Sequence, residues 1–244
     1  MAGVGAREVG EGRAHGGLLA RDLRLAQGED AHVEHRALEQ RVDGRVAHGH
    51  ALGHLEQAVP FYEQAIRIAP DAAQAAFSNL GTAYYQLGRL DEARAAYGRA
   101  VAIDPGDPLK RRNLGDLHHR TGDAGAARRE YQEALRLSKK QLEVNPRDAR
   151  ALALMAVVEA KLGRGAEAQR HAAEALALNP SSSDVVYKAA VVHALTGRPE
   201  EALLALEKAL AMGFRSWEAR VDDDLASLRR NERFVTLTSR KEAS

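Results

Sequence analysis

The sequence predicts an all-α protein, a solenoid of stacked helix–turn–helix units. Three observations predict it. Small residues return at matching places with a 34-residue step. Apolar residues recur between them at three- and four-residue spacing, the period of one helix face. Glycine and proline then punctuate each unit, glycine in its middle and proline at its end.

The pattern is clearest in LGTAYYQLGRLDEARAAYGRAVAIDP, residues 80–105. Leu80-Gly81, Tyr84, Gly88, Ala93, Tyr97, Ala100 and Pro105 form one set. A shift of 34 gives Leu114-Gly115, His118, Gly122, Ala127, Tyr131 and Ala134. The next set is Met155-Ala156, Glu159, Gly163, Ala168, Ala172, Ala175 and Pro180. The last is Ala189-Ala190, His193, Gly197, Ala202, Leu206 and Ala209. Ahead of the first set, Gly53, Ala58, Tyr62, Ala65 and Pro70 read as the second half of an earlier unit.

Each element follows from local chemistry. The glycines at 53, 88, 122, 163 and 197 are expected between two helices, where the left-handed conformation carries no Cβ penalty. Asp91, Asp123, Glu167 and Glu200 fall early in the second helices, where a carboxylate suits the helix dipole. Pro70, Pro105, Pro146 and Pro180 end the pairs. The step from Ala127 to Ala168 is 41, so seven residues are inserted, close to two turns of helix. No glycine or proline interrupts that stretch before Pro146, so the second helix of this unit is expected to be two turns longer.

The set Phe77, Leu80-Gly81, Tyr84, Ala93, Tyr97 and Pro105 resembles the tetratricopeptide repeat. The resemblance covers residues 39–213 as about five units, the first degraded. It implies a right-handed α-solenoid without enzymatic activity that binds a protein or peptide in a concave groove. In such an array the first helices line the groove, and side chains that packing does not require are free for recognition. The groove positions implied here are Ser78, Asn79 and Thr82, then Arg112, Asn113, Asp116 and Arg120, then Arg150 with Ala153 and Val157, then Tyr187, Lys188 and Val191. The early half reads as polar and the later half as smoother and apolar. Some members of the family grip a peptide's terminal carboxylate with Lys, Asn, Asn, Lys and Arg. Those positions are Ser78, Thr82, Asn113, Arg150 and Leu154 here, and only Asn113 matches.

The ends differ from the repeats. Residues 1–38 are rich in glycine and histidine and are expected to be disordered or weakly packed. The first unit's leading helix carries Gly44 and Gly49, each costing about 1 kcal/mol against alanine. Residues 214–244 have the composition of a helical cap for the exposed edge of the last unit. Asp223, Leu225, Leu228, Arg229, Arg233 and Phe234 resemble the ending of arrays at the C-termini of bacterial signalling proteins, with Asp224 in place of a proline. An alternative expectation follows, that the chain is a detached regulatory portion of a serine/threonine kinase or a transcriptional regulator.

Composition narrows the function further. The chain has 244 residues and a net charge of +1, so nothing points to nucleic acid or an anionic membrane. It has no cysteine, which excludes disulfides and thiolate chemistry. Arginine outnumbers lysine 28 to 7, the mark of a GC-rich, bacterial coding sequence. The longest apolar stretch, 151–160, is too short to span a bilayer and contains Glu159. A cytoplasmic protein is the expectation, with homo-oligomerisation left open.

No catalytic motif occurs, and no cofactor or metal is expected. The glycines of GVGAREVGEG follow no strand. His32, His35, His48, His50 and His54 have no zinc-like spacing and read as a solvated stretch. His118 holds a tyrosine-like packing position. Asp222, Asp223 and Asp224 read as a solvated turn or helix start.

Overall fold

The structure, a computed structural model, describes residues 51–70 and 73–239. The elements are α1 (Ala51–Ile68), α2 (Gln74–Gln86), α3 (Leu90–Ile103), α4 (Pro108–Arg120), α5 (Ala124–Val144), α6 (Ala149–Lys161), α7 (Gly165–Leu178), α8 (Ser183–Leu195), α9 (Pro199–Ala211), α10 (Ser216–Val221), a 3₁₀ turn (Asp223–Leu228) and α11 (Glu232–Ser239). No strand occurs among the described residues. The N-terminal segment 1–38, the first unit's leading helix and the histidines up to His50 lie outside them.

The pairs α2–α3, α4–α5, α6–α7 and α8–α9 pack most densely, and each pair stacks on the next. Gly88 and Gly122 sit just past α2 and α4 with φ of +76° and +84°, so a side chain there would strain the turn. The helices before Pro70, Pro105, Pro146 and Pro180 all end two residues ahead of the proline. Asp123 caps α5, accepting from the Ala126 N–H at 2.8 Å. Helix α5 has 21 residues where α3 has 14, so the inserted seven extend one helix as the spacing requires. Its last turns stand in solvent, with Val144 86% exposed.

One punctuation mark reads differently. Gly53 lies inside α1 rather than between two helices. The buried face Leu55, Ala58, Val59, Tyr62 and Ala65 runs on through the helix and outweighs a lone interior glycine. It also carries Pro60, which removes one helical N–H donor.

Small residues at the repeat positions are set by what faces them. A Cβ on Gly81 would lie 2.5 Å from the Tyr97 ring, and one on Gly115 would lie 2.6 Å from the Tyr131 ring. In the next two units the matching positions are Ala156 and Ala190, and their opposite numbers are Ala172 and Leu206, all buried in one cluster. Glycine goes with tyrosine, and alanine with a smaller partner. Ala190 with Leu206 keeps about the summed volume of Gly81 with Tyr97, whereas Ala156 with Ala172 is a smaller pair.

The first helices α2, α4, α6 and α8 line a concave face. Beyond α9 the chain turns at Gly213, with φ of +90°. It runs back across that face as α10 and the 3₁₀ turn, which packs on α8, and ends in α11 against α9. Leu225, Leu228, Phe234 and Leu237 join Leu206 and Ala209 in the buried cluster of the last unit. No described helix is long and apolar enough to cross a membrane.

Candidate functional site

The concave groove draws its polar groups from one face of each first helix. Asn79, Thr82, Arg112, Asn113, Asp116, Arg120, Tyr187 and Lys188 line it, with Tyr85 and Lys161. Three expected residues do not. Ala153 is buried in the core of its unit. Ser78 is buried within its unit, and its carbonyl accepts from the Thr82 hydroxyl at 3.1 Å. Arg150 is exposed near the start of α6, away from the lining.

Much of the groove is covered, from Tyr85 on α2 to Tyr187 on α8. Residues 214–228 lie in it, and their carboxylates meet its cations. Arg112 donates to Asp224 at 2.7 Å, and Lys161 pairs with the same carboxylate. Asp116 supports both cations, 2.9 Å from Lys161 and 2.8 Å from Arg112, and accepts from the Tyr131 hydroxyl at 2.8 Å. The Asp224 and Lys161 side chains are each 9% exposed. Such a pair persists in a dry site only because each charge has several partners.

Asp223 sits one step along. It accepts from the Tyr85 hydroxyl at 2.8 Å and lies 3.6 Å from Arg120 and 2.9 Å from Arg229. Arg120 also stacks 4.6 Å over the Tyr85 ring and donates to the Tyr85 carbonyl at 2.9 Å. Asp222 faces the other way and accepts from the Tyr187 hydroxyl at 2.6 Å. The Phe214 ring stacks on Tyr187, centroids 3.8 Å apart and planes 11° from parallel. Trp217 packs against the cluster of the first two units.

The three aspartates are therefore not a solvated turn. Asp222 does cap the 3₁₀ turn, accepting from the Asp224 N–H at 2.9 Å. The shape expected from sequence is present, but the groove's cations draw the run inward. Electrostatics separates its members. Burial opposes ionisation of Asp224, yet Lys161 and Arg112 hold its pKa below the ordinary carboxylate range. Burial and the neighbouring Asp224 charge push Asp222 above that range. Burial and the adjacent carboxylates also raise the Tyr85, Tyr131 and Tyr187 phenols, keeping them as donors.

Lys161 was within reach of the repeat pattern. The 41-residue step that carries Asn113 to Leu154 carries Arg120 to Lys161. Phe214, Trp217 and the aspartates had no such signal, because their partners are set by a chain reversal that periodicity does not encode. Among the described residues, the segment leaves Asn79 and Asn113 of the lining unbonded.

Comparison with known families matches the same units. Tetratricopeptide repeat models match residues 49–72, 109–181 and 153–216, and a TPR repeat model matches 81–122. Together they take in every helix pair of the solenoid. The chain belongs to the tetratricopeptide repeat family.

A tetratricopeptide repeat and J domain-containing co-chaperone of Fusarium oxysporum f. sp. lycopersici is 28% identical over 120 residues, 49% of this chain. The chain spans only 23% of that relative's length. Among solved structures, a thermophilic tetratricopeptide protein of Thermus thermophilus superposes with a TM-score of 0.51 at 25% identity, over 73% of this chain and 92% of its own. PilW, a type IV pilus biogenesis factor, gives 0.49 at 16% identity over 86% and 91%. The tetratricopeptide fold supports a protein-interaction scaffold as the general class of function.

Proposed function

We propose that the chain is a non-enzymatic scaffold that binds a partner protein through its concave groove. One observation carries this reading. The groove holds a peptide segment through aromatic and carboxylate side chains and leaves Asn79 and Asn113 of its lining without partners among the described residues. Side chains that neither pack the solenoid nor bond one another are the ones available for recognition.

The test compares faces of the full chain. A photo-crosslinking residue is placed at Thr82 or Asn113 in the groove, or at Leu204, which is 58% exposed on α9. A partner crosslinked in cells from the groove positions and not from Leu204 supports the groove. A partner crosslinked from Leu204 alone overturns it.

A further inference from the structure

The segment between α9 and α11 has two faces, one seated in the groove as a ligand would be and one in the core of the last unit. It is tethered at both ends, by Gly213 after α9 and by α11 packed back on α9. Its own secondary structure is two six-residue pieces, a short helix and a 3₁₀ turn. A 3₁₀ turn is the weaker of the helical hydrogen-bond geometries. On the groove side it is held by polar and aromatic side chains, and on the other side Ala219, Leu225 and Leu228 lie in the buried cluster of the last unit.

That grip has a definite chemistry. Without the segment, Arg112 and Lys161 share one groove carboxylate, Asp116, and Arg120 keeps the Tyr85 carbonyl and ring. The segment's aspartates offset those cations, Asp223 pairing also with Arg229, and give Lys161 and Arg112 a second anionic partner. Tyr85 and Tyr187 add phenolic donors, one to Asp223 and one to Asp222. Aromatic anchoring is supplied by Tyr187 under Phe214 and by the pocket around Trp217. Recognition is of side-chain carboxylates within a chain, and no terminal carboxylate is involved. Trp217 precedes Asp222 by five residues, and Phe214 precedes Asp224 by ten.

We infer that the stretch Phe214–Asp224 is an intramolecular stand-in for the partner, which is an acidic protein segment carrying an aromatic residue five to ten positions before a run of carboxylates, and which binds by displacing the stretch's groove-facing side chains while Leu225 and Leu228 keep the chain anchored in the last unit. The inference rests on the proposal that the groove is the binding face. The partner engages Asn79 and Asn113 first. It then exchanges its own aromatic and carboxylates for those of the chain. Salt weakens both the resident and the incoming segment, because the same charges hold each.

Trp217 is the single tryptophan of the chain and lies in the displaced segment, so its emission reports the exchange. The probe is a synthetic peptide of residues 212–229 with Trp217→Phe, which leaves the protein as the only indole emitter. Titration into the full chain is expected to shift Trp217 emission to the red and to saturate. A peptide with all three aspartates changed to asparagine is expected to bind about tenfold more weakly or worse, through loss of its charge-assisted hydrogen bonds. Asp224→Asn in the protein loosens the resident segment and is expected to lower the half-saturating peptide concentration. Circular dichroism of that variant verifies that the solenoid is intact.

Absence of any red shift in both wild type and Asp224→Asn overturns the inference. So does equal potency of the asparagine peptide. Binding of fluorescently labelled peptide with no change in Trp217 emission retains the groove as the binding face and sinks displacement. Crosslinks at Leu204 alone, by contrast, remove the groove itself. A peptide-driven conversion of dimer to monomer in light scattering makes a second copy the occupant and also overturns it.

Discussion

The Arg112 guanidinium donates to the Asp224 carboxylate at 2.7 Å, joining the second full repeat to the returning segment across 112 positions of sequence. Lys161 and Asp116 complete a four-membered cluster with those two. Removing one member of a buried ion cluster strands the others. Arg112→Ala is therefore expected to cost about 3 kcal/mol, and Asp224→Asn a similar amount. The double variant is expected to cost clearly less than the sum, because the second change removes the charge that the first left unpaired. Urea unfolding of the four proteins measures it. Full additivity means the two groups do not act as a pair.

Helix contact within a unit gives a second expectation. Alanine is a better helix former than glycine by about 1 kcal/mol. At position 81 that gain is lost, because the added carbon falls 2.5 Å from Tyr97. Gly81→Ala is expected to destabilise by about 1–3 kcal/mol. Gly81→Ala with Tyr97→Leu recreates the smaller pairing of Ala190 with Leu206, and is expected to be more stable than Gly81→Ala alone. Thermal melts decide it, and a further loss in the double variant refutes the volume exchange.

These pairs show what was legible in the sequence. Gly81, Tyr97 and their repeats are local and periodic, so 34-residue arithmetic finds them and the helix pairs follow. Arg112, Asn113 and Asp116 were legible for the same reason, as residues on a first helix that packing does not require. The return of Asp222–Asp224 into the groove was not. It depends on a chain reversal at Gly213 and on cations from α4 and α6 meeting the returning carboxylates, neither of which leaves a period. Ser78 shows the opposite limit, since one residue's rotation on α2 separates a groove position from a buried one.

Capping supplies a local prediction. The Asp148 side chain accepts from the N–H groups of Arg150 at 2.9 Å and Ala151 at 3.1 Å, satisfying two orphan donors at the start of α6. Asp148→Ala is expected to cost about 1 kcal/mol, and Asp148→Ser to recover most of it. Because α6 carries Lys161 at its far end, the fraying is confined to the first turn and Trp217 emission is expected to stay unchanged. Loss of stability in urea together with a red-shifted Trp217 contradicts that separation.

Acid separates the neighbouring aspartates. Asp223 and Asp224 have folded pKa values below the ordinary range, so their stabilisation is present above that range and is lost as pH falls through their own lower values. Asp222 is raised, so its sign is opposite. Its favourable contribution is complete below the ordinary value and is lost as pH rises through the raised one. On acidification from neutral pH, Asp222 takes up its proton first, and the segment is expected to hold or tighten. Only below the ordinary aspartate value of about 3.9 do Asp223 and Asp224 lose their charge and release the segment. Trp217 emission against pH follows this course. Neutralising each residue by substitution makes the same distinction at pH 7. Asp222→Asn removes a repelled charge while its amide oxygen can still accept from Tyr187, so it is expected to be tolerated. Asp224→Asn removes the anion that Lys161 and Arg112 share, so it is expected to red-shift Trp217 and lower the melting temperature. Equal effects of the two substitutions refute the opposed electrostatics of the pair.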